Sequence, residues 1–364
     1  MLTSRARLVT LCALLSLPPL GGAVADPAIK PAIVGLISTG NPDNRLAEFA
    51  GLGGIFGGVV LQARWVDLQP DPSMPLVTAG IDSGLKAVRT YNSAKGLARK
   101  LGVRLRVFAG CSAGANGTGV SDAPMWAMNL DGGPITATGN YVNGPETCTF
   151  GRFWDPTSRY ATAWAQLQAQ LAAKYDTAEP LIQEVAVTSC TSFSGEPFFL
   201  PQGPTGLVPD TSTQTVLPKN YGYQDAQYQG CLMNAVADYS QWKTTRLEFT
   251  FLGFSGLSGG NDIAFSERVM RGCRQLAGPR CILSGHDLDA QTPAVVLPVY
   301  ALERKFGPNI TFQSLYGIPV DPEGTIRKGI SLGAGAIEIW PKGFAGGVQS
   351  AATLESWAEM FTPQ

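Results

Sequence analysis

The chain is 364 residues long, carries a formal charge of −1, and only 15% of its residues are charged, against an average of about 25%. No basic surface is available to neutralise a phosphate backbone, which excludes nucleic acid as a natural partner. One histidine, His286, and cysteines without metal-ligand spacing exclude a structural zinc site, and no cofactor is expected.

At the N-terminus Arg5 and Arg7 precede an apolar stretch over 8–17, followed by Pro18 and Pro19 and then Ala23-Val24-Ala25. This is the layout of a secretory signal peptide with a small-x-small cleavage site, and its apolar core is shorter than the ~20 residues of a spanning helix. Residues 1–25 are expected to be removed. Residues 26–364 then form one soluble domain, a monomer without a membrane span, in an extracellular or periplasmic space. Export leaves six cysteines in an oxidising compartment, an even set that predicts three disulfides. Six cysteines allow 15 pairings. Cys273 and Cys281 are close in sequence, while Cys111–Cys148 and Cys190–Cys231 would each staple a long loop.

In chain order, runs rich in apolar and β-branched residues lie at 32–38, 58–65, 103–109, 182–188, 246–254, 281–285, 310–316 and 334–340, separated by segments of helical period. Such alternation predicts βα units around a parallel sheet buried on both faces. The clearest helix follows the third strand. Asp155 can cap it, Pro156 suits its first position, and Tyr160, Trp164, Leu167, Leu171 and Tyr175 form its apolar stripe. Tyr228, Leu232, Val236, Tyr239 and Trp242 repeat the pattern, as do Leu354, Trp357 and Phe361. Eight units argue for a closed (β/α)8 TIM barrel, an α/β single domain with long βα loops, because an open sheet would leave two edges to protect. Two Gly/Pro/Ser-rich stretches, 111–151 and 190–222, follow strands three and four, so both belong at the C-terminal mouth where such barrels do chemistry.

Polar and aromatic residues gather at the strand ends: Gln62, Arg64, Trp65 and Asp67; Glu196; His286, Asp287 and Asp289; Gln313 and Tyr316. In strand eight the isoleucines Ile337 and Ile339 alternate with Glu338 and Trp340. If the isoleucines pack on helices, Glu338 and Trp340 point into the barrel. Two carboxylates across a Trp-lined mouth are what cleavage of a glycosidic bond needs, one to protonate the leaving oxygen and one to attack or stabilise the oxocarbenium-like centre. Glu196 and Glu338 are the expected catalytic pair. Arg64, Trp65, Trp154, His286, Gln313, Tyr316 and Trp340 are the expected contacts of a carbohydrate substrate.

The chain resembles the (β/α)8 glycoside hydrolases of the cellulase and β-galactosidase superfamily. The likeness lies in Gly58-Val59-Val60-Leu61-Gln62-Ala63-Arg64-Trp65, in Leu105-Arg106-Val107-Phe108-Ala109-Gly110, in Phe153-Trp154-Asp155-Pro156 and in Val185-Ala186-Val187-Thr188 with Gly195-Glu196 beyond it. It implies a barrel with an acid/base glutamate after strand four, the position of Glu196. That superfamily carries its nucleophile at the end of strand seven, where this chain reads Thr311-Phe312-Gln313-Ser314-Leu315-Tyr316, and it usually has Asn where Gly195 stands. Either Glu338 takes the second role, or Asp287 or Asp289 does, or the barrel binds sugar without cleaving it. A rival motif is Gly110-Cys111-Ser112-Ala113-Gly114, which matches the G-x-S-x-G elbow of serine esterases and, with Asp210, Asp238 or Asp262 and His286, gives the order Ser…Asp…His. The residues after it cannot launch the helix an elbow requires.

Overall fold

The computed structural model describes residues 28–40, 54–141, 144–195, 211–250, 256–257, 262–291, 297–314, 321–340 and 350–361. Eight parallel strands form a closed barrel: β1 (Gly35–Ser38), β2 (Phe56–Arg64), β3 (Gly102–Phe108), β4 (Ile182–Ala186), β5 (Arg246–Thr250), β6 (Cys281–Leu288), β7 (Ile310–Ser314) and β8 (Ala334–Ile339), each paired with its sequence neighbours and β8 with β1. The expected (β/α)8 architecture is the one observed. Around it lie α1 (Ala79–Asn92), α2 (Arg159–Tyr175), α3 (Thr213–Tyr221), α4 (Asp225–Asn234), α5 (Ile263–Ala277), α6 (Leu297–Lys305), α7 (Pro322–Ser331) and α8 (Ala351–Glu359). None of these helices is long and apolar enough to cross a membrane.

On α2, Tyr160, Trp164, Leu167, Leu171 and Tyr175 are all buried, as their spacing predicts. Its cap is not Asp155, however. Ser158 accepts from Ala161 N at 3.0 Å, while Asp155 accepts from Thr157 N and Oγ1 at 3.0 and 2.7 Å in a turn just upstream. A serine three residues closer to the helix outcompetes the aspartate for the orphan amide.

The mouth loops carry their own structure. After β3, Cys111–Ser112 pairs antiparallel with Val120–Ser121, and Ile135–Tyr141 with Gly144–Phe150. The Cys111–Cys148 disulfide joins these two ribbons, Cys190–Cys231 ties the segment after β4 to α4, and Cys273–Cys281 ties α5 to β6. All three pairings are those expected.

The barrel foot is closed by the N-terminal segment. Ile33 packs with Ile37, Val60 and Ala336 in a small apolar cluster, and Gly58 makes room for it, since a Cβ there would lie 2.6 Å from Ile33. Lys30 Nζ donates to the carbonyls of Glu179 and Ile182 and to Thr245 Oγ1 at 2.8 to 2.9 Å, and burial pushes it down to about 8. Above this layer the interior inverts the usual pattern. Leu105, Val185, Leu247, Leu283, Phe312 and Ile337 turn outward into the core under the helices, so alternation sends Arg104, Arg106, Glu184, Glu248, His286, Thr311, Gln313 and Glu338 inward.

Behind β6, Glu303 on α6 is fully buried and neither of its oxygens is hydrogen-bonded. Burial, with the Asp287 charge adding to it, holds this carboxyl well above the usual range. The folded protein therefore keeps a proton that the unfolded chain releases, and the group costs stability as pH rises past about 4.3. Glu303→Gln is expected to raise Tm at about pH 8 and to leave it unchanged near about pH 4; equal differences at both pH values contradict this.

Candidate functional site

The polar interior is one connected cluster. Arg104 donates from Nε to Glu184 at 2.9 Å and from Nη1 to Glu338 at 3.1 Å, and it reaches Thr311 Oγ1 at 3.3 Å. Arg106 Nη1 and Nη2 grip the two oxygens of Glu338 at 3.0 and 2.9 Å in a fork, the strong bidentate geometry. Thr39 Oγ1 adds a third donor to Glu338 at 3.0 Å. The Gln313 amide, turned so that its nitrogen donates to Glu338 at 3.1 Å, accepts from Trp340 Nε1 at 3.2 Å. Glu184 also accepts the amide of Ile33 at 2.9 Å, linking the plug to the cluster. Burial pushes the Glu338 carboxyl up, but Arg106 and Arg104 more than offset it and hold it below the usual carboxylate range. For Glu248 the same burial is outweighed by Arg104, the His286 hydrogen bond and Arg106, and that carboxyl lies well below the usual range.

Glu338 and Gln313 thus face the axis as the strand pattern requires, with Trp340 half-buried at the rim. His286, 6% exposed, meets Thr250 Oγ1 at 2.8 Å and Glu248 Oε1 at 3.3 Å. Glu196 and Tyr316 lie outside the described residues. Gly195, the residue before Glu196, is described: a Cβ on it would lie 2.9 Å from Phe108 and 3.0 Å from Arg106 Cδ, so the chain after β4 returns over the end of β3.

Two expected sugar platforms are core residues instead. Trp65 has no exposed surface and is enclosed by Trp126, Tyr160 and Trp164 at ring distances of 5.3 to 5.6 Å. Trp154, also without exposed surface, meets Phe153 edge-on and Tyr223 at a tilt. Neither ring has a face to offer a sugar; Trp65 pins its mouth segment onto α2. Trp65→Ala is expected to cost about 3–5 kcal/mol of stability, measured by denaturant unfolding, and to leave the ligand affinity of the folded fraction unchanged.

Arg64 sits at the rim, held by Asp122: its Nε donates to Asp122 Oδ1 at 2.8 Å and its Nη2 to the Ser121 carbonyl at 2.6 Å. Burial raises the Asp122 carboxyl, against the pull of Ser112 and Arg64. Ser112 Oγ donates to the same carboxylate at 2.6 Å. The esterase constellation is therefore not assembled. Ser112 bonds Asp122, His286 faces Glu248, Asp238 accepts from Ser189, Asp262 caps α5, and Asp210 lies outside the described residues. The motif itself falls on a β-ribbon held by the Cys111 disulfide rather than on a strand-to-helix elbow. Of the alternative carboxylates, Asp287 accepts from Tyr300 on α6 and is raised by burial, and Asp289 accepts the Gln291 amide in a turn.

Sequence reasoning missed Arg104, Glu184 and Glu248 as site residues. The signal was present: charged or polar residues alternate with apolar ones in Arg104-Leu105-Arg106, Glu184-Val185, Glu248-Phe249-Thr250 and Thr311-Phe312-Gln313, and in a closed barrel the face turned from the helices is the interior. Among the described residues no cluster of three or more His, Cys, Asp or Glu side chains is arranged to hold a metal ion.

No protein-family model and no curated protein matches this sequence. Among solved structures the chain is similar to the catalytic domain of a β-amylase from Paenibacillus polymyxa, with a TM-score of 0.60 and 11% identity, covering 91% of this chain and 100% of that one. It is less similar to the endo-β-1,4-glucanase Xac0029 from Xanthomonas axonopodis pv. citri (TM-score 0.47, 13% identity, 89% and 91% covered). PbGH5A, a glycoside hydrolase family 5 enzyme from Prevotella bryantii B14, gives 0.44 and 14% over 92% and 100%. The β-amylase likeness establishes the fold: a (β/α)8 barrel of the architecture that the sequence resemblance implied.

Proposed function

We propose that the chain is a secreted glycoside hydrolase, exported by its first 25 residues and acting as a monomer on a poly- or oligosaccharide held in the barrel mouth. Glu196 is the general acid, and Glu338 is the ionised carboxylate that attacks or stabilises the oxocarbenium-like centre. The observation that carries this reading is the position of Arg106. Its guanidinium grips Glu338 from β8, and its methylene stem lies under Gly195, one residue before Glu196. Strands four and eight, opposite each other in the barrel, thus bring Gly195 and Glu338 to one side chain. Trp340, half-buried beside Gln313, supplies an aromatic face, and Arg64, His286, Gln313 and Tyr316 are the further substrate contacts of this reading. The β-amylase is a carbohydrate-acting protein by description, which supports the substrate class. A carboxyl separation of about 5–5.5 Å would give retention and about 6.5–9.5 Å inversion.

One observation favours a second reading, a barrel that binds carbohydrate without cleaving it. Glu338 has no exposed surface, and both of its oxygens are already hydrogen-bonded. A panel of polysaccharides and aryl glycosides separates the two, since binding without turnover selects the second. Ser112→Ala is expected to leave glycoside cleavage unchanged, and covalent labelling of Ser112 by a fluorophosphonate contradicts the hydrolase reading. Trp340→Ala is expected to weaken glycan binding about tenfold, the equivalent of roughly 1.4 kcal/mol of stacking, as read by calorimetry; unchanged affinity removes Trp340 from the site.

A further inference from the structure

Three buried carboxylates, Glu184, Glu248 and Glu338, face two buried guanidiniums, Arg104 and Arg106. The distances show where compensation is thinnest. Glu184 has Arg104 at 2.7 Å, and Glu338 has Arg104 at 3.1 Å and Arg106 at 2.9 Å, but the guanidiniums stand 3.8 and 3.9 Å from Glu248. The nearest nitrogen to Glu248 is His286 Nε2, at 3.3 Å. The proton on that nitrogen is fixed by Thr250. Its hydroxyl donates its single hydrogen to Glu248 Oε1 at 2.8 Å, so the 2.8 Å contact between Thr250 Oγ1 and His286 Nε2 needs the imidazole as donor.

We propose that His286 is an imidazolium in the folded protein at neutral pH, the third cation of the barrel interior, and that it positions Glu248 on the floor of the mouth. Nε2–H serves Thr250 and Glu248, and the second ring proton supplies the charge that two arginines leave unmatched. Among the described residues the charged groups around the ring include Glu248 on β5, Glu338 on β8 and the adjacent Asp287 on β6, opposed by Arg104 and Arg106 on β3. Arg246 also feels Glu184, but it is spent at the barrel foot on the carbonyls of Lys30 and Pro279. A histidine that gains an anionic partner contributes stability below its unfolded value, near 6.5, and loses it as pH rises through the folded one. The floor is thus neutral while His286 is charged and bears one unpaired carboxylate once the proton leaves.

Because His286 is the only histidine, ring 15N and 13C shifts of the intact protein report it without assignment. At about pH 7.5, where an unperturbed imidazole is mostly neutral, both ring nitrogens of the wild type are expected to be protonated. Glu248→Gln should discharge the ring, and Asp287→Asn should not. A neutral ring in the wild type overturns the proposal, whether or not either variant folds. A ring discharged by Asp287→Asn but not by Glu248→Gln also overturns it.

Discussion

Replacing Arg104 by methionine is expected to destabilise the protein by about 3–5 kcal/mol, the cost of removing one partner from a buried ion pair and leaving the others uncompensated. Arg104 touches Glu184, Glu338 and Thr311 by hydrogen bond and Glu248 at 3.8 Å. It is therefore the shared cation of three carboxylates on β4, β5 and β8. Methionine matches its stem but carries no charge, and the site has no exposed surface. Against a typical total of about 5–15 kcal/mol, the loss should move the denaturant midpoint strongly without changing the slope. A midpoint within about 0.5 kcal/mol of the wild type, the size of an ordinary surface substitution, contradicts the shared-cation account. The same cluster sets the acid limit. Glu248 and Glu338 lie below their ordinary values, so their contribution is complete above the unfolded carboxylate value of about 4.3 and is lost as pH falls through the folded ones.

The barrel was legible because parallel strands buried on both faces leave long β-branched runs, and all eight appear within a few residues of where composition places them. Boundaries shifted where neighbouring pairing decides: β2 begins at Phe56 because it pairs back to Leu36 of β1. The cysteine pairs were readable from their even number, the expected export and loop length. The interior was not, because its pairs are remote: Arg104 meets Glu184 across 80 positions and Glu338 across 234. A single strand read alone cannot reveal which distant charge compensates it. The tryptophans failed for a related reason. Trp65 at a strand end suits a sugar or a core equally, and what decides is Trp126 from a mouth loop and Trp164 from α2. Arg64 ends β2, and its orientation there depends on Asp122, 58 residues on.

Glu196→Gln carries the largest expected effect on function. A positioned general acid contributes about 10²–10⁴ in rate, and glutamine keeps the shape while removing the proton. The loss should fall on kcat, because an interaction made only in the transition state does not alter ground-state binding. It should also depend on the leaving group: large for a sugar alcohol, which must be protonated to depart, and small for a nitrophenolate, which departs unaided. The decisive measurement is therefore turnover of an oligosaccharide and of a nitrophenyl glycoside by the wild type and by Glu196→Gln, with glycan binding recorded for both. The account predicts cleavage by the wild type, a 10²–10⁴-fold fall for the oligosaccharide, a much smaller fall for the nitrophenyl glycoside, and unchanged binding. Equal turnover by the two proteins, or glycan binding without cleavage by the wild type, contradicts it.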